Sequence, residues 1–270
     1  MRDQLRLGTP STPVVRRRDR VGELLPAVGV LAACGATWET WVRLRDTPDY
    51  LLPAPSAIAR TFVADRATLW EHTRVTLVEA AAGLVVGAAL GIAVAVLVAM
   101  SALARRALSP ILVASQTVPM IILAPLLVLW FGFGLAPKVI VVALVTFFPV
   151  AVATAGGLSK VDTAMLDLVR VCRTSRWQEL RHVRMPHALP ALFDGLRIAA
   201  AYTVAAAVVG EWTGASAGLG VYLARSQASF AVDQVFVAVG IVAALSAGLF
   251  AALGVASRAA VPWRSDEGER

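Results

Sequence analysis

Four stretches of the chain, residues 80–104, 107–137, 139–159 and 234–257, carry no ionisable side chain. At about 1.5 Å per helical residue, each can cross ~30 Å of hydrocarbon. Two shorter apolar runs complete the pattern: 24–38 lies between Glu23 and Glu39, and 198–210 ends at Glu211. Both need flanking residues to reach full span length, with their carboxylates at the interfaces. The pattern predicts an all-α integral membrane protein of about six transmembrane helices, with spans near 22–41, 75–100, 108–131, 138–158, 191–213 and 234–257. Outside this transmembrane block of 21–262 lie a basic, proline-containing tail at 1–20, expected to be disordered, and a short tail at 263–270.

Polar and small residues refine the elements. Gly83, Gly87 and Gly91 recur four apart in the second span, so one face of that helix is expected to approach a neighbour closely. Pro119 and Pro125 in the third span and Pro149 in the fourth predict kinks or breaks, which serve either packing or a cavity. Between the first two spans, Pro53 and Pro55 predict a turn leading into a short amphipathic helix. The loop at 159–190 reads as a helix-turn-helix. Ser159–Asp162 fits a capping box opening a helix from near Val161 to about Cys172, and Ser175–Gln178 fits a second, opening a helix that Pro186 stops. Trp177, Leu180 and Val183 recur three apart near one face, leaving Arg176, Arg181 and Arg184 for water, lipid headgroups or a partner.

Composition agrees with a membrane protein: 58% of residues are hydrophobic and the mean hydropathy is +0.71. Seventeen of the 25 basic residues fall on the N-terminus, the turn near 105, the loop at 159–190 and the C-terminus, which places those segments in the cytoplasm. Lys138 belongs to the minority on the opposite side. The net charge of +7 is thereby explained by topology and calls for no nucleic acid. Cys34 and Cys172 read as two unpaired small residues. Residues 31–34 imitate a lipoprotein cleavage site, but a retained first span is expected. A P-loop needs Gly-Lys-Ser/Thr, and the two lysines follow Pro137 and Ser159, so the chain has no ATPase site. His72, His182 and His187 fall outside the predicted spans, and Glu79 and Glu211 form no pair by sequence, so no reaction suggests itself.

Three residues are candidates for a pathway or gate. Glu211 is the acid flanked by extended apolar sequence on both sides; its place beside Trp212 favours an interfacial or gate-lining role over direct solute contact. Gln116 and Pro119 stand together in the third span, where an amide beside a helix break could meet a polar solute or bond to a neighbouring helix.

The loop and the spans together resemble a membrane permease subunit of an ABC importer of the binding-protein-dependent type. Such permeases carry a cytoplasmic motif of the form EAA-x3-G-x9-I-x-L-P. With its last proline on Pro186, Met185 and Val183 take the Leu and Ile positions, while Asp167, Leu168 and Val169 stand where Glu-Ala-Ala is expected. Arg173 replaces the turn glycine, so a right-handed turn or a register shift is expected there. The resemblance covers about 53–263. RVTLVEAAAGLVVGAALGIAVAVLVAMS, PLLVLWFGFG and MPHALPALFDGLRIA look like the branch importing nitrate, sulfonates, taurine or thiamine-precursor pyrimidines, and VVGEWTGASAGLG leans toward the pyrimidine members. It implies a type I importer fold in a bacterial inner membrane, with no cofactor in this chain. ATP and Mg would be bound by two partner ATPase subunits, an extracytoplasmic solute-binding protein would deliver the solute, and the permease would pair as a homodimer. The coupling loop would comprise Asp167, Arg173, Ser175, Arg176, Trp177, Leu180, Val183, Met185 and Pro186. The alternative class is a gradient-driven transporter or channel without ATPases, which would not depend on that loop.

Overall fold

A computed structural model describes residues 20–115 and 119–263, and among them there are helices and no strands. The order is α1 (Arg20–Leu44), α2 (Pro55–Ala64), α3 (Arg66–Met100), α4 (Ala102–Ser115), α5 (Met120–Phe131), α6 (Leu135–Ser159), α7 (Thr163–Val171), α8 (Arg176–Glu179), a π-helical turn at Leu180–Arg184, α9 (Met185–Glu211), α10 (Leu219–Ala228) and α11 (Val232–Ala260). Among the described residues, four helices are long and apolar enough to cross a membrane: α3, α6, α11 and the continuous rod Arg176–Glu211 that joins α8, the π turn and α9. The first predicted span falls on α1.

The predicted third span is not one helix. α4 ends at Ser115, and α5 begins after Pro119, whose extended backbone (ψ 115°) caps it. The pyrrolidine has no N–H to continue the ladder, so an uninterrupted apolar sequence yields two short helices.

The core is the triple packing of α3, α6 and α9, with α11 against α9, and α5 against α6 and α9. Its closeness comes from the glycines. A Cβ on Gly83 would lie 2.3 Å from Val142 Cβ, one on Gly87 would lie 2.5 Å from the Ala143 carbonyl oxygen, and one on Gly91 would lie 2.9 Å from that of Phe147. Gly195 does the same for α9, where a Cβ would meet Ala153 and the Pro149 carbonyl. The stripe therefore seats α3 on α6, backbone to backbone. α3 runs in the same sense as α6, its Gly83, Gly87 and Gly91 meeting Val142, Thr146 and Val150 in order, while α9 runs the opposite way, with Ala191 against Gly157 and Gly210 against Lys138, so the bundle has two ends. At the loop end, Ala95, Leu158, Leu180 and Ala188 form one cluster. At the far end lie the start of α3, the start of α6, the end of α9, and α10.

Candidate functional site: a basic loop and a far-end clasp

At the loop end, the second capping box forms as its residues dictate: Ser175 Oγ accepts from Gln178 N at 3.2 Å, and Gln178 Oε1 accepts from Ser175 N at 2.8 Å. The first predicted box does not form. Ser159 Oγ donates to the Gly156 carbonyl instead, and Asp162 Oδ1 takes the Ala164 N–H at 3.0 Å, so α7 starts at Thr163. A short acidic residue one turn closer outcompetes the serine for the free amides.

Between α7 and α8 the chain turns at Arg173, whose φ is +55°. The expectation of a right-handed turn or shifted register is thus overturned: arginine occupies the left-handed geometry itself, at a cost of about 1–2 kcal/mol. Thr174 Oγ1 closes the turn by donating to the Val169 carbonyl at 2.9 Å.

Pro186 does not stop the second helix. The hydrogen-bond register widens over Leu180–Arg184, with Met185 N–H reaching the Leu180 carbonyl, and Pro186 enters the first turn of α9, where its missing N–H matters least. The wider turn also separates the predicted face. Leu180 is buried in the loop-end cluster, Val183 is half-buried, and Trp177 stays exposed. Arg184 anchors the turn, reaching Glu179 at 2.6 Å and the Leu158 carbonyl at 3.2 Å. Arg176, Asp167 and Arg173 are exposed, and Met185 and Pro186 are half-buried. Sequence reasoning passed over one feature of α7: Met165, Leu168 and Val171 expose their side chains. Their spacing of three was the available signal for an apolar face turned outward.

At the far end, Glu211 is 1% exposed. Its Oε1 accepts from Thr76 Oγ1 at 2.6 Å, and its Oε2 accepts from Gly220 N. Thr76 Oγ1 also accepts from Leu219 N at 2.8 Å, and His72 Nδ1 accepts from Gly218 N at 2.9 Å. The helical start of α10 thus delivers its free amides to α3 and α9. Two glycines make room: Gly218 has φ +126°, and a Cβ there would come within 2.5 Å of both Glu211 carboxylate oxygens. Beside this lies Lys138, 8% exposed, whose ammonium bonds Glu79 at 2.6 Å. The carboxyls of Glu79 and Glu211 are neighbours, which their separation in sequence hid. Lys138 is thus a buried partner of Glu79, and His72 lies in the first turns of α3, ahead of the predicted span.

Around the clasp, Tyr222 O–H donates to Asp65 at 2.8 Å, and Gln234 Nε2 reaches the same carboxylate oxygen at 3.2 Å. Burial first, then the Asp65 carboxylate, push the Tyr222 phenol above its ordinary range, so the donor persists at physiological pH. Of the remaining pathway candidates, Pro119 is exposed at the head of α5, and Gln116 lies outside the described residues. Near Pro119, an open groove of about 580 Å³ runs between α5, α6 and α9, lined by Met120, Val145, Phe148, Pro149, Ile198 and Tyr202 among others.

Residues 87–261 match the family model described as "Binding-protein-dependent transport system inner membrane component". A probable ABC transporter permease protein of Haemophilus influenzae is 40% identical over 83% of this chain and 90% of its own length. The formylaminopyrimidine transport permease protein ThiX of Halalkalibacterium halodurans is 37% identical over 85% and 92%. The riboflavin transport system permease protein RibX of Chloroflexus aurantiacus is 35% identical over 94% and 98%. In shape, the chain is similar to a chain of the inward-facing MetNI methionine ABC transporter, with a TM-score of 0.62 at 21% identity over 77% of this chain and 98% of that one. With its multi-pass apolar helices and type I importer fold, the chain belongs to the binding-protein-dependent transport system inner membrane component family of ABC transporter permeases.

Proposed function

We propose that this chain is the permease subunit of an ATP-driven importer in a bacterial inner membrane, moving a small, flat heteroaromatic solute of the aminopyrimidine kind into the cytoplasm. An extracytoplasmic binding protein delivers the solute, and two partner ATPase subunits bind ATP and Mg. The permease works as a homodimer with both termini and the docking loop in the cytoplasm. One observation carries the mechanism. The rod Arg176–Glu211 is a single helical element with the docking loop at one end and the Glu211 clasp at the other. At about 1.5 Å per residue, its 36 residues span about 54 Å, so a displacement imposed on α8 by an ATPase is felt at the far end. The exposed apolar face of Met165, Leu168 and Val171, with Trp177 nearby, supplies what a cleft on an ATPase can grip.

Two facts support a neutral heteroaromatic cargo. The ThiX and RibX relatives are named for a pyrimidine and for riboflavin. Among the described residues, the groove between α5, α6 and α9 offers Phe148, Tyr202 and Met120 and no charged side chain, which suits a stacked ring and gives a sulfonate no counter-charge. The test is uptake by proteoliposomes holding the permease, its ATPase partners and its binding protein. ATP-dependent accumulation of an aminopyrimidine, weakened about tenfold or more by Tyr202→Ala through loss of a stacked ring, is the expected result. Accumulation of taurine in preference to the pyrimidine would overturn the cargo class, and accumulation without ATP would overturn the importer.

A further inference from the structure

At the loop end, the corner between α3 and α4 and the start of α8 enclose an open cavity of about 450 Å³, lined by Ala99, Met100, Arg105, Arg176, Glu179 and Arg184 among others. Its charges do not balance. Glu179, 8% exposed, is engaged with Arg184, whose guanidinium also donates to the Leu158 carbonyl. The acid of the cavity is therefore occupied by an internal pair. Arg105 and Arg176 are exposed on the same cavity, and neither forms an ion pair with a carboxylate among the described residues. Arg105 and Arg176 thus line a hollow whose one acid among the described lining residues is already paired.

The placement says what kind of anion fits. Ala99 and Met100 close the apolar run of α3, and Leu103 is exposed one turn further on. The cavity mouth therefore sits where the hydrocarbon-matching length of a span gives way to charge, at the depth of lipid headgroups. Guanidinium forks match phosphate oxygens in geometry as well as in charge. A free phosphate would use the arginines but not the apolar ledge, whereas a phospholipid uses both.

We propose that this cavity binds the phosphodiester headgroup of an anionic phospholipid, with Arg105 and Arg176 holding the phosphate while Arg184, fixed by Glu179, forms the wall. Arg105 belongs to α4 and Arg176 to the first turn of α8, so the lipid bridges the bundle and the docking loop. Its occupancy stiffens the loop on which an ATPase would pull.

The experiment needs only the full chain purified in detergent. Native mass spectrometry follows retention of dioctanoyl phosphatidylglycerol against dioctanoyl phosphatidylcholine, with inorganic phosphate as the competing soluble anion. Preferential retention of phosphatidylglycerol, weakened about 30-fold in Arg105→Gln/Arg176→Gln, is expected, since each arginine near an anionic surface contributes about a factor of five. Arg258→Gln, at the end of α11, should retain the lipid as the unaltered chain does. Equal retention of the two lipids, or an unchanged affinity in the double variant, overturns the proposal. Displacement by millimolar inorganic phosphate overturns the lipid assignment and leaves a soluble-phosphate site. Should the double variant not fold, Arg105→Lys, which keeps the charge but loses the fork, must weaken retention while leaving the helical signal intact; no loss there would also overturn it. Because no transport or ATPase is measured, failure here is distinct from failure of the importer.

Discussion

Lys138 is the residue whose role changes most between sequence and structure. A lysine following Pro137 at the end of an apolar run looks like a loop charge, yet it lies buried against Glu79. Removing one member of a buried pair leaves the other uncompensated, which costs about 3–5 kcal/mol. Lys138→Met is therefore expected to lower resistance to unfolding in mixed micelles by that amount, and Glu79→Gln in the same chain is expected to recover much of it. A double variant no better than the single one would show that the pair is not the relevant partner set. Arg173 carries a smaller strain in its left-handed turn. Arg173→Gly should relieve about 1 kcal/mol and raise amide-exchange protection across α7 and α8.

At the scale of elements, small residues and register shifts decide the packing. The stripe Gly83, Gly87 and Gly91 was legible as a contact face because four-residue spacing fixes one side of a helix. Which helix it met was not, because spacing contains no information about a partner; α6 is that helix. Gly87→Leu should cost about 1–3 kcal/mol or more by forcing α3 off α6. Gly240→Ala in α11, where a Cβ meets nothing within 4 Å, should be neutral or stabilising by about 0.5–1 kcal/mol. The same unfolding assay separates the two. Pro186 teaches the complementary point. Proline forbids one hydrogen bond, and the chain answers by widening a turn and continuing. A rule that ends helices at proline could not foresee this, since the widened register is held by Leu180 in the core and by Arg184 on Glu179 and Leu158.

Across the whole molecule, the docking loop, the rod and the far-end clasp form one chain of contacts. Leu180→Pro removes an N–H that bonds the carbonyls of Arg176 and Trp177, and Arg176→Glu reverses a charge on the exposed first turn of α8. Both variants should insert into membranes as the unaltered chain does, yet lose ATP-driven uptake. Normal uptake in both would remove the loop from the mechanism. The same scale explains the uneven legibility of the site. The docking loop is local: its second capping box and its basic residues lie within about thirty residues, so its outline could be read directly. The clasp is assembled from residues far apart in the chain, with Thr76 reaching Glu211 and His72 reaching Gly218.

Sequence alone determined the class of the protein, because hydrocarbon thickness sets a length that apolar runs either meet or miss, and charge sets the loops between them. It also shows that neither lysine stands in a Gly-Lys-Ser/Thr phosphate cradle, since such a motif is contiguous in the chain and legible without the fold. Tertiary structure alone decided that the third apolar run breaks at Pro119 while Pro125 stays within α5, that Pro186 is threaded into a continuous helix, and that Glu211, Thr76, Lys138 and Glu79 share one buried corner. Each of these turns on which backbone groups and charges find partners across the bundle. A buried polar group is tolerated only where a partner reaches it, and that partner can lie anywhere in the chain.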